Sequence, residues 1–443
     1  MPTMVRTNLF NRRNSLTQVK LSGFGGVDGS IVIDMGNFNQ LTMDLKDYTA
    51  TVGGGCLLGD LAQFLFNHGR AMPHGTWPGV GLGGHVTTGG MGPASRMWGL
   101  ALDHVIGAEV VLADASIVKA SETENPDLFF AIKGAAASFG IVTHFRLRTQ
   151  PAPGECVEFQ YTMGSPDTAL RIEWFKTWQR FVSDLSLSRK LSVGLEIFPH
   201  KMVISGNYFR PKADFDTLNI TEFLPPSGTY IETVHPTWID IVNSWAEGIR
   251  VNYGGGASRS FYAKSLNFKR FQLVPEDVAE RIFQNLAIAY ASGAMMIISF
   301  HPAGGRVNDV DPDATAYPHR DTLFWMQFAA VGLGGLDVST RDLVHGVDRI
   351  LLKGMPQARF GAYLGHVDPD LANPSEAYWG INLPQLQRLK AKFDFQDIFH
   401  HPQSVSIGAK APEGVDNQQL KRSMPRRVDV HHHFLPPDVC FGG

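Results

Sequence analysis

Glycine is concentrated in one short stretch of this 443-residue chain, and that concentration limits the folds open to it. Of the 46 glycines, 19 lie between Gly23 and Gly99, and seven of these lie in the 14 residues from Gly79 to Gly92. Glycine at this density indicates backbone at positive φ or backbone pressed against a ligand, because glycine has no Cβ. The first half of the chain is therefore predicted to hold a cofactor.

Composition argues against several other classes of protein. A net charge of −3 does not suit a nucleic-acid binder, whose affinity rests on neutralising phosphates. With 44% hydrophobic and 18% charged residues, the chain is too apolar for disorder. Its 3 cysteines include no CxxC pair, which argues against a zinc ribbon or a disulfide-rich module. No apolar run of roughly 18 residues is present, so no membrane span is predicted, and the basic N-terminus lacks the apolar stretch of a secretory signal. The compartment is left open.

The spacing of apolar residues predicts a mixture of helices and strands. In the first part of the chain, a helix is predicted from Leu57 to its end at His68–Gly69, and another over Asn125–Lys133. Strands are predicted there at Ser30–Met35, Thr49–Val52, His104–Leu112, Ser116–Ala120 and Ile141–Leu147. Helix-like and strand-like runs alternate over residues 156–330, and residues 338–353 and the start of 376–400 are predicted to be helical. The fold class is therefore α+β.

The glycine stretch has several interpretations. Residues 79–84 satisfy the pattern GxGxxG, but a dinucleotide fingerprint also needs a strand before it and a helix straight after it. Residues 73–78 do not resemble a buried strand, and residues 85–92 are too rich in glycine for a helix interior. The absence of GK[ST] excludes a P-loop. Two interpretations remain: a long structural loop with tight turns, or a loop that lies along a flat or extended cofactor.

Three motifs in a fixed order identify a family. They are HGTWPGVGLGGHVTTGGMG from His74, RMWGLALDHVIGAEVVLADAS from Arg96 and NPDLFFAIKGAAASFGIVTHF from Asn125. Together they resemble the FAD domain of the berberine-bridge-enzyme-like and glucooligosaccharide-oxidase-like flavoproteins of the vanillyl-alcohol-oxidase superfamily. The stretch from Tyr378 to Ser404 resembles the closing segment of that family.

The resemblance implies a two-lobed p-cresol-methylhydroxylase-type FAD-binding fold with an inserted α+β substrate domain. Residues 1–153 would form the FAD domain, residues 154–375 the substrate domain with an antiparallel sheet, and residues 376–407 a segment that returns to the FAD domain. It further implies an FAD-dependent oxidoreductase that oxidises an alcohol or hemiacetal group of a sugar or secondary metabolite by hydride transfer to the flavin, with O2 as an acceptor. The partner would then be a small-molecule substrate.

The cofactor residues follow from the same resemblance. Those beside the isoalloxazine and pyrophosphate would be Gly79, Val80, Gly81, Gly83, Gly84, His85, Gly89, Gly90 and Gly92. Those touching the flavin from the other side would be Phe139, Gly140, Ile141 and Val142. For Ile141 and Val142 the alternative is an ordinary buried strand.

The chain departs from the family where the cofactor is attached. Many members bind FAD covalently through a His in a Gly-Gly-His-Ser loop and through a Cys. This sequence has no Gly-Gly-His-Ser, and Trp77 occupies the position of the Cys, so FAD is expected to be non-covalent. Cys56 lies elsewhere and is interpreted as a small buried hydrophobic residue. The start of the FAD domain, with most of its pyrophosphate loop, is interpreted as missing. A truncated, inactive relative is therefore one alternative function, and a sugar-binding module without chemistry is a separate one.

The catalytic base is also altered. The family places a Tyr in a Tyr-x-Asn-Tyr-x-Asp stretch, and this chain reads Tyr363-Leu-Gly-His366-Val-Asp368, so His366 occupies that position. An imidazole can accept a proton near neutral pH. Tyr363 is a second candidate, and a histidine satisfied at a strand end is the alternative for His366. Gln327 matches a position that faces the substrate, although a solvent-facing glutamine is equally compatible.

The last residues of the chain do not resemble a flavoprotein. Met424–Pro437 resembles the first strand of metal-dependent amidohydrolases, in which the residues matching His431 and His433 bind a metal. Alternate strand residues share one face, which suits two ligands of one metal. The length available is too short for a (β/α)8 barrel, so residues 408–443 are interpreted as a flexible and foreign tail, and no metal site is assigned. The alternative is a disordered tail with adventitious affinity for metal.

Overall fold

The computed structural model describes residues 33–225, 228–253, 259–333 and 337–408. The predicted strand Ser30–Met35 lies only partly in this range. Residues Ile33 to Met35 form no strand, so the prediction is wrong for them. The chain turns there instead, because the Gly36 amide donates to Asp34 Oδ1 and the Phe38 amide donates to the Met35 carbonyl. The tail residues His431 and His433 lie outside the described residues.

The first lobe is built on a five-stranded antiparallel sheet with the order β1-β2-β6-β4-β5. The strands of this lobe are β1 (Leu41–Asp44), β2 (Thr49–Gly53), β3 (Arg70–Ala71), β4 (Val105–Val111), β5 (Ile117–Ala120), β6 (Ile141–Arg148) and β7 (Gln150–Pro151). Its helices are α1 (Leu58–Asn67), α2 (Leu82–Thr87), α3 (Ser95–Trp98) and α4 (Pro126–Ala135). Helix α1 buries Leu58, Leu61 and Leu65 on one face and ends before Gly69, as its apolar spacing predicts.

The second lobe is built on a seven-stranded antiparallel sheet with the order β11-β8-β10-β9-β13-β14-β12. Its strands are β8 (Cys156–Gly164), β9 (Leu191–Ile197), β10 (Lys201–Tyr208), β11 (Thr229–His235), β12 (Arg259–Lys269), β13 (Met295–Pro302) and β14 (Thr322–Leu333). Its helices are α5 (Thr168–Ser183), α6 (Lys212–Asp216), α7 (Trp238–Tyr253), α8 (Glu276–Ala291) and α9 (Val338–Gly354).

The two faces of this second sheet have different neighbours. Side chains alternate along a strand, and on β14 Phe324 and Met326 pack in one core with residues of α5, α8 and α9. Trp325, between them, packs instead with Leu102 of the first lobe. One face of the sheet is therefore covered by helices, and the other faces the first lobe. We call the latter the inner face.

The closing segment packs on the first lobe. It contains α10 (Pro374–Trp379) and α11 (Leu383–Phe393), which are separated at Gly380 with φ +43. Tyr378 and Trp379 share the first lobe's hydrophobic core, and the Trp379 indole donates to the Gly134 carbonyl at 3.0 Å. Thus the two ends of the described chain contribute to one core.

Helix α2 contradicts the expectation that the stretch after the glycine pattern contains no helix. It spans Leu82–Thr87, with Gly83 and Gly84 in its interior and every residue buried. Glycine lowers helix propensity by about 1 kcal/mol relative to alanine, but a Cβ at Gly83 would lie 2.6 Å from the Gly54 carbonyl oxygen. Close packing therefore requires glycine here and stabilises the helix despite its propensity. No strand precedes it over residues 72–78, as predicted.

Candidate functional site

The glycine stretch lies in a tight stack of three backbone segments. Gly83 of α2 presses on Gly54, and a Cβ at Gly54 would lie 2.4 Å from the Val142 carbonyl oxygen of β6. The turn at Gly54 therefore lies between the cofactor residues predicted on α2 and those predicted on β6. Sequence reasoning missed that turn, although three consecutive glycines at residues 53–55 were a usable signal.

The predicted cofactor residues differ in burial. Those that the structure buries are Val80, Gly83, Gly84, His85, Gly89, Gly90, Phe139, Gly140 and Val142. Those that stay half-buried are Gly79, Gly81, Gly92 and Ile141. Phe139 and Val142 belong to the first lobe's hydrophobic core, which supports the buried-strand interpretation of Val142. Cys56 is also buried in this core, as expected, and burial raises the pKa of its thiol to about 11.

Two buried histidines lie beside the start of the glycine stretch. His74 Nδ1 is 2.8 Å from the Gly75 carbonyl oxygen, and the Gly75 amide donates to His85 Nε2 at 3.0 Å. A carbonyl only accepts, so His74 carries its proton on Nδ1 and leaves Nε2 as an acceptor. Burial and the neighbouring His74 lower the pKa of His85 to about 3. Burial also lowers the pKa of His74, so both rings are neutral at physiological pH.

Some buried polar atoms in this region have no hydrogen-bond partner within the described ranges. They are Nε2 of His74, Nε1 of Trp77 and Nδ1 of His366. A buried donor or acceptor without a partner costs about 1–3 kcal/mol. Each such atom calls for a partner from outside the protein chain, such as a bound ligand or a water molecule.

Tyr363 connects the glycine stretch to the second lobe. Its hydroxyl oxygen accepts from the Gly90 amide at 3.1 Å, and its own amide donates to Ser265 Oγ on β12 at 3.0 Å. Gly90 has φ +78, a conformation that favours glycine and aims its amide at the phenol. Burial raises the pKa of Tyr363. The phenol is therefore neutral and holds the loop, which makes it the weaker candidate for the base.

His366 and Gln327 come together through a third residue, His301. The ring of His366 lies 5.1 Å from that of Tyr363 and 6.5 Å from that of His301. His301 Nε2 in turn lies 3.2 Å from Gln327 Oε1. Sequence reasoning missed His301. Only the pairing of β13 with β14, which sets His301 opposite Trp325, brings His301 near Gln327.

The structure shows where His366 and Gln327 lie. His366 does not lie at a strand end, because residues 363–368 form no strand and its amide donates to the Tyr363 carbonyl in a turn at 2.9 Å. Gln327 is half-buried, and its side-chain oxygen is hydrogen-bonded to His301. Burial and the neighbouring His301 lower the pKa of His366 to about 3. Burial also lowers the pKa of His301.

A row of polar side chains crosses the inner face of the sheet beside this cluster. Strand pairing places Ser265 opposite Gln327, Gln327 opposite Ser299, and Ser299 opposite Glu196. Hydroxyl, amide and carboxylate groups in one row offer both donors and acceptors to a polyhydroxylated ligand.

The described residues contain neither a membrane-spanning helix nor a cluster of metal-binding side chains. None of the helices in ranges 33–225, 228–253, 259–333 and 337–408 is long and apolar enough to cross a membrane. Within the same ranges, no group of three or more His, Cys, Asp or Glu side chains is arranged to hold a metal ion.

Two family models match the chain. An FAD binding domain matches residues 17–121, and a segment described as "Berberine and berberine like" matches residues 362–406. The first contains the glycine stretch and the second contains Tyr363 and His366. The structure has brought these two parts of the site into contact.

Curated and solved proteins are similar over most of the chain. The FAD-linked oxidoreductase sorD of Penicillium rubens is 39% identical, with 86% of this chain and 82% of the relative covered. A xylooligosaccharide oxidase from Myceliophthora thermophila, solved with xylobiose, has a TM-score of 0.78 and 28% identity, with 86% of this chain and 82% of that chain covered. Glucooligosaccharide oxidase from Acremonium strictum, solved in a study of its 6-S-cysteinyl, 8α-N1-histidyl FAD, has a TM-score of 0.77 and 30% identity, with coverages of 89% and 87%.

Proposed function

The chain belongs to the FAD-linked oxidoreductases with a berberine-like closing segment, and we propose that it oxidises a hydroxyl or hemiacetal carbon of a sugar or secondary metabolite, with FAD as cofactor and O2 as final acceptor. One observation carries the proposal: Tyr363 joins the buried glycine stretch to the cluster of His366, His301 and Gln327. A cofactor-binding loop and a proton acceptor then lie at one junction of the two lobes.

The residues present fit FAD. Trp77 and His74 each carry a buried polar atom without a partner in the described part of the chain, and the isoalloxazine ring offers complementary nitrogen and oxygen atoms. The backbone from Gly79 to Gly81 and the turn at Gly54 would line the same cofactor. Bound FAD supplies the hydride acceptor for the substrate carbon.

His366 is the proposed base. Its imidazole is neutral at physiological pH, so it can accept the proton of the substrate hydroxyl as the hydride leaves the carbon. Gln327 holds His301 by a hydrogen bond, and with Ser299 it would bind the other hydroxyl groups of the substrate. The polar row on the inner face supports a sugar rather than an apolar substrate.

We further propose that the cofactor is bound without a covalent link. Trp77 stands where relatives carry the attachment Cys, and an indole cannot form a thioether. Cys56 does not replace that Cys, because it is buried in the first lobe's core and its thiol is held protonated by burial. Affinity must then come from packing and hydrogen bonds alone.

The test is reconstitution with FAD followed by acid precipitation. The protein is expected to show flavin absorbance, to lose it when a sugar is added without O2, and to release all flavin into the acid supernatant. Flavin that stays in the precipitate would contradict non-covalent binding. A reconstituted protein that binds FAD but is reduced by no sugar or alcohol would favour the inactive relative.

A further inference from the structure

The loop that carries His366 is anchored to both faces of strand β12. At the inner face, the Tyr363 amide donates to Ser265 Oγ at 3.0 Å. At the other face, Asp368 Oδ2 lies 2.6 Å from Lys264 Nζ. Lys264 and Ser265 are consecutive, and consecutive strand residues point to opposite faces. His366 lies in the chain between these two anchors.

The second anchor is an ion pair withdrawn from water. The side chains of Lys264 and Asp368 are 4% and 3% exposed. The Tyr262 hydroxyl donates to Asp368 Oδ1 at 3.0 Å, and Asp348 of α9 places a second carboxylate 3.5 Å from Lys264. Both oxygens of Asp368 are therefore occupied, and its side chain has one orientation.

The backbone of Asp368 is held by the closing segment. Gln403 Nε2 donates to the Asp368 carbonyl at 2.7 Å, and the Tyr378 hydroxyl donates to Gln403 Oε1 at 3.0 Å. Asp368 is thus fixed by the second lobe through its side chain and by the closing segment through its main chain. Asp368 therefore lies at the junction of the two lobes, where His366 would contact the substrate.

Stability does not explain a lysine at this position. The neighbours of Lys264 on the same face of β12 are Tyr262 and Leu266, and both pack in the hydrophobic core of the second lobe. Replacing a buried ion pair by well-packed apolar residues is often neutral or stabilising. Stability therefore does not require the pair, which is compatible with a positioning role.

We propose that Lys264, acting through Asp368, is a positioning residue that sets the placement of the His366 imidazole. This inference rests on the proposed function, since it concerns the base of that reaction. The ion pair fixes the end of a loop whose other end is fixed by Tyr363. Loss of the pair leaves this end of the loop with only the Tyr262 and Gln403 hydrogen bonds, so the side chain of Asp368 and the nearby imidazole are held less firmly.

The test compares Lys264→Met with Lys269→Met. Lys269 lies on the same strand and pairs with Asp321 at 2.8 Å, but the two side chains are 35% and 55% exposed. Lys264→Met is expected to keep the flavin absorbance spectrum and to slow anaerobic flavin reduction by substrate about tenfold or more, because small displacements of a reacting group are costly. KM and the rate of reoxidation by O2 are expected to stay unchanged, and Lys269→Met is expected to change none of these quantities.

The split between the two half-reactions separates positioning from general damage. The proton leaves the substrate only during flavin reduction, so a misplaced base slows that step alone. An unchanged reduction rate in Lys264→Met, or an equal loss in both half-reactions, would overturn the inference.

A double variant covers the case in which Lys264→Met does not fold. Lys264→Met/Asp368→Asn removes both charges of the buried pair and leaves only Asp348, whose side chain is 22% exposed, so its thermal unfolding is expected to approach that of the wild type, while flavin reduction stays slow. Reduction at the wild-type rate would show that the pair does not position the base.

An NMR measurement distinguishes failure of this inference from failure of the proposed function. The Cε1–Hε1 resonance of His366, assigned by its disappearance in His366→Gln, is expected to shift in the double variant and not in Lys269→Met. An unshifted resonance overturns the inference even if sugars reduce the flavin. Failure of every sugar and alcohol to reduce the reconstituted wild type overturns the proposed function, whatever the resonance does.

Discussion

His366 shows how burial changes the chemistry of a single side chain. Its sequence position indicates a base with an ordinary imidazole, but burial and the neighbouring His301 lower its pKa to about 3. The neutral form therefore persists across the physiological range. His366 is therefore a weak base in the correct protonation state. Transfer of the substrate proton to it must accompany the departure of the hydride.

The lowered pKa of His366 predicts that the rate of flavin reduction changes little as the pH falls below 7. The rate of anaerobic flavin reduction is expected to change less than about twofold between pH 7 and pH 5, because His366, with a pKa of about 3, is still almost entirely neutral at pH 5. With an ordinary pKa of about 6.5, the neutral fraction and the rate would fall about 25-fold over that interval.

His366→Gln is the control for this profile. It is expected to slow flavin reduction at every pH by about 10²–10⁴-fold, the range for loss of a general base. A rate that falls steeply below pH 6.5 in the wild type and not in His366→Gln would contradict the assignment of a low pKa.

At the scale of elements, the helical conformation of α2 is determined by the residues that pack against it. Its own residues include two interior glycines and would favour a loop. The close approach of Gly83 to the Gly54 carbonyl and the burial of every side chain outweigh that preference. The same packing brings the predicted cofactor residues on α2 and β6 near each other.

Gly83→Ala is expected to destabilise the first lobe despite the higher helix propensity of alanine. The added Cβ would meet the Gly54 oxygen at 2.6 Å, and overpacking of this kind costs about 1–3 kcal/mol. The measurement is the free energy of unfolding in urea. Gly154→Ala is the control, since a Cβ there meets nothing within 4 Å, and equal effects of both variants would contradict the packing argument.

At the scale of the whole molecule, a buried ion pair ties the two lobes together. Arg320, which lies just before β14, donates to both oxygens of Asp103 in the first lobe at 2.9 and 2.8 Å. The side chain of Arg320 is 1% exposed and that of Asp103 is 14% exposed. Arg96 adds a second tie, because it donates to the Leu191 and Ala303 carbonyls of the second lobe at 2.8 Å each.

Asp103→Asn is expected to destabilise the whole protein strongly. Removal of one partner of a buried pair leaves an uncompensated charge, which costs about 3–5 kcal/mol. Asp127→Asn is the matched control, because Asp127 pairs with Lys392 at 2.7 Å but the two side chains are 51% and 58% exposed. Its change in the free energy of unfolding is expected to stay within about 1 kcal/mol. Similar small changes in both variants would show that the Asp103–Arg320 pair does not hold the lobes together.

Local patterns in the sequence determined much of this protein. Apolar spacing correctly predicted helix α1 and the alternation along β6, because these elements bury one face or stripe, which their own residues mark. The resemblance carried by three ordered motifs correctly identified the family and FAD as the cofactor. The same reasoning failed at α2, where distant packing outweighs local propensity.

Only the tertiary structure decided the composition of the site. His301 meets His366 and Gln327 through strand pairing, and Gly54 meets Gly83 through packing between segments that local patterns do not connect. Burial, which sets the pKa of His366, is likewise a property of the assembled lobes. Residue types and short-range spacing are written in the chain, whereas contacts between distant segments and exclusion of water exist only after folding.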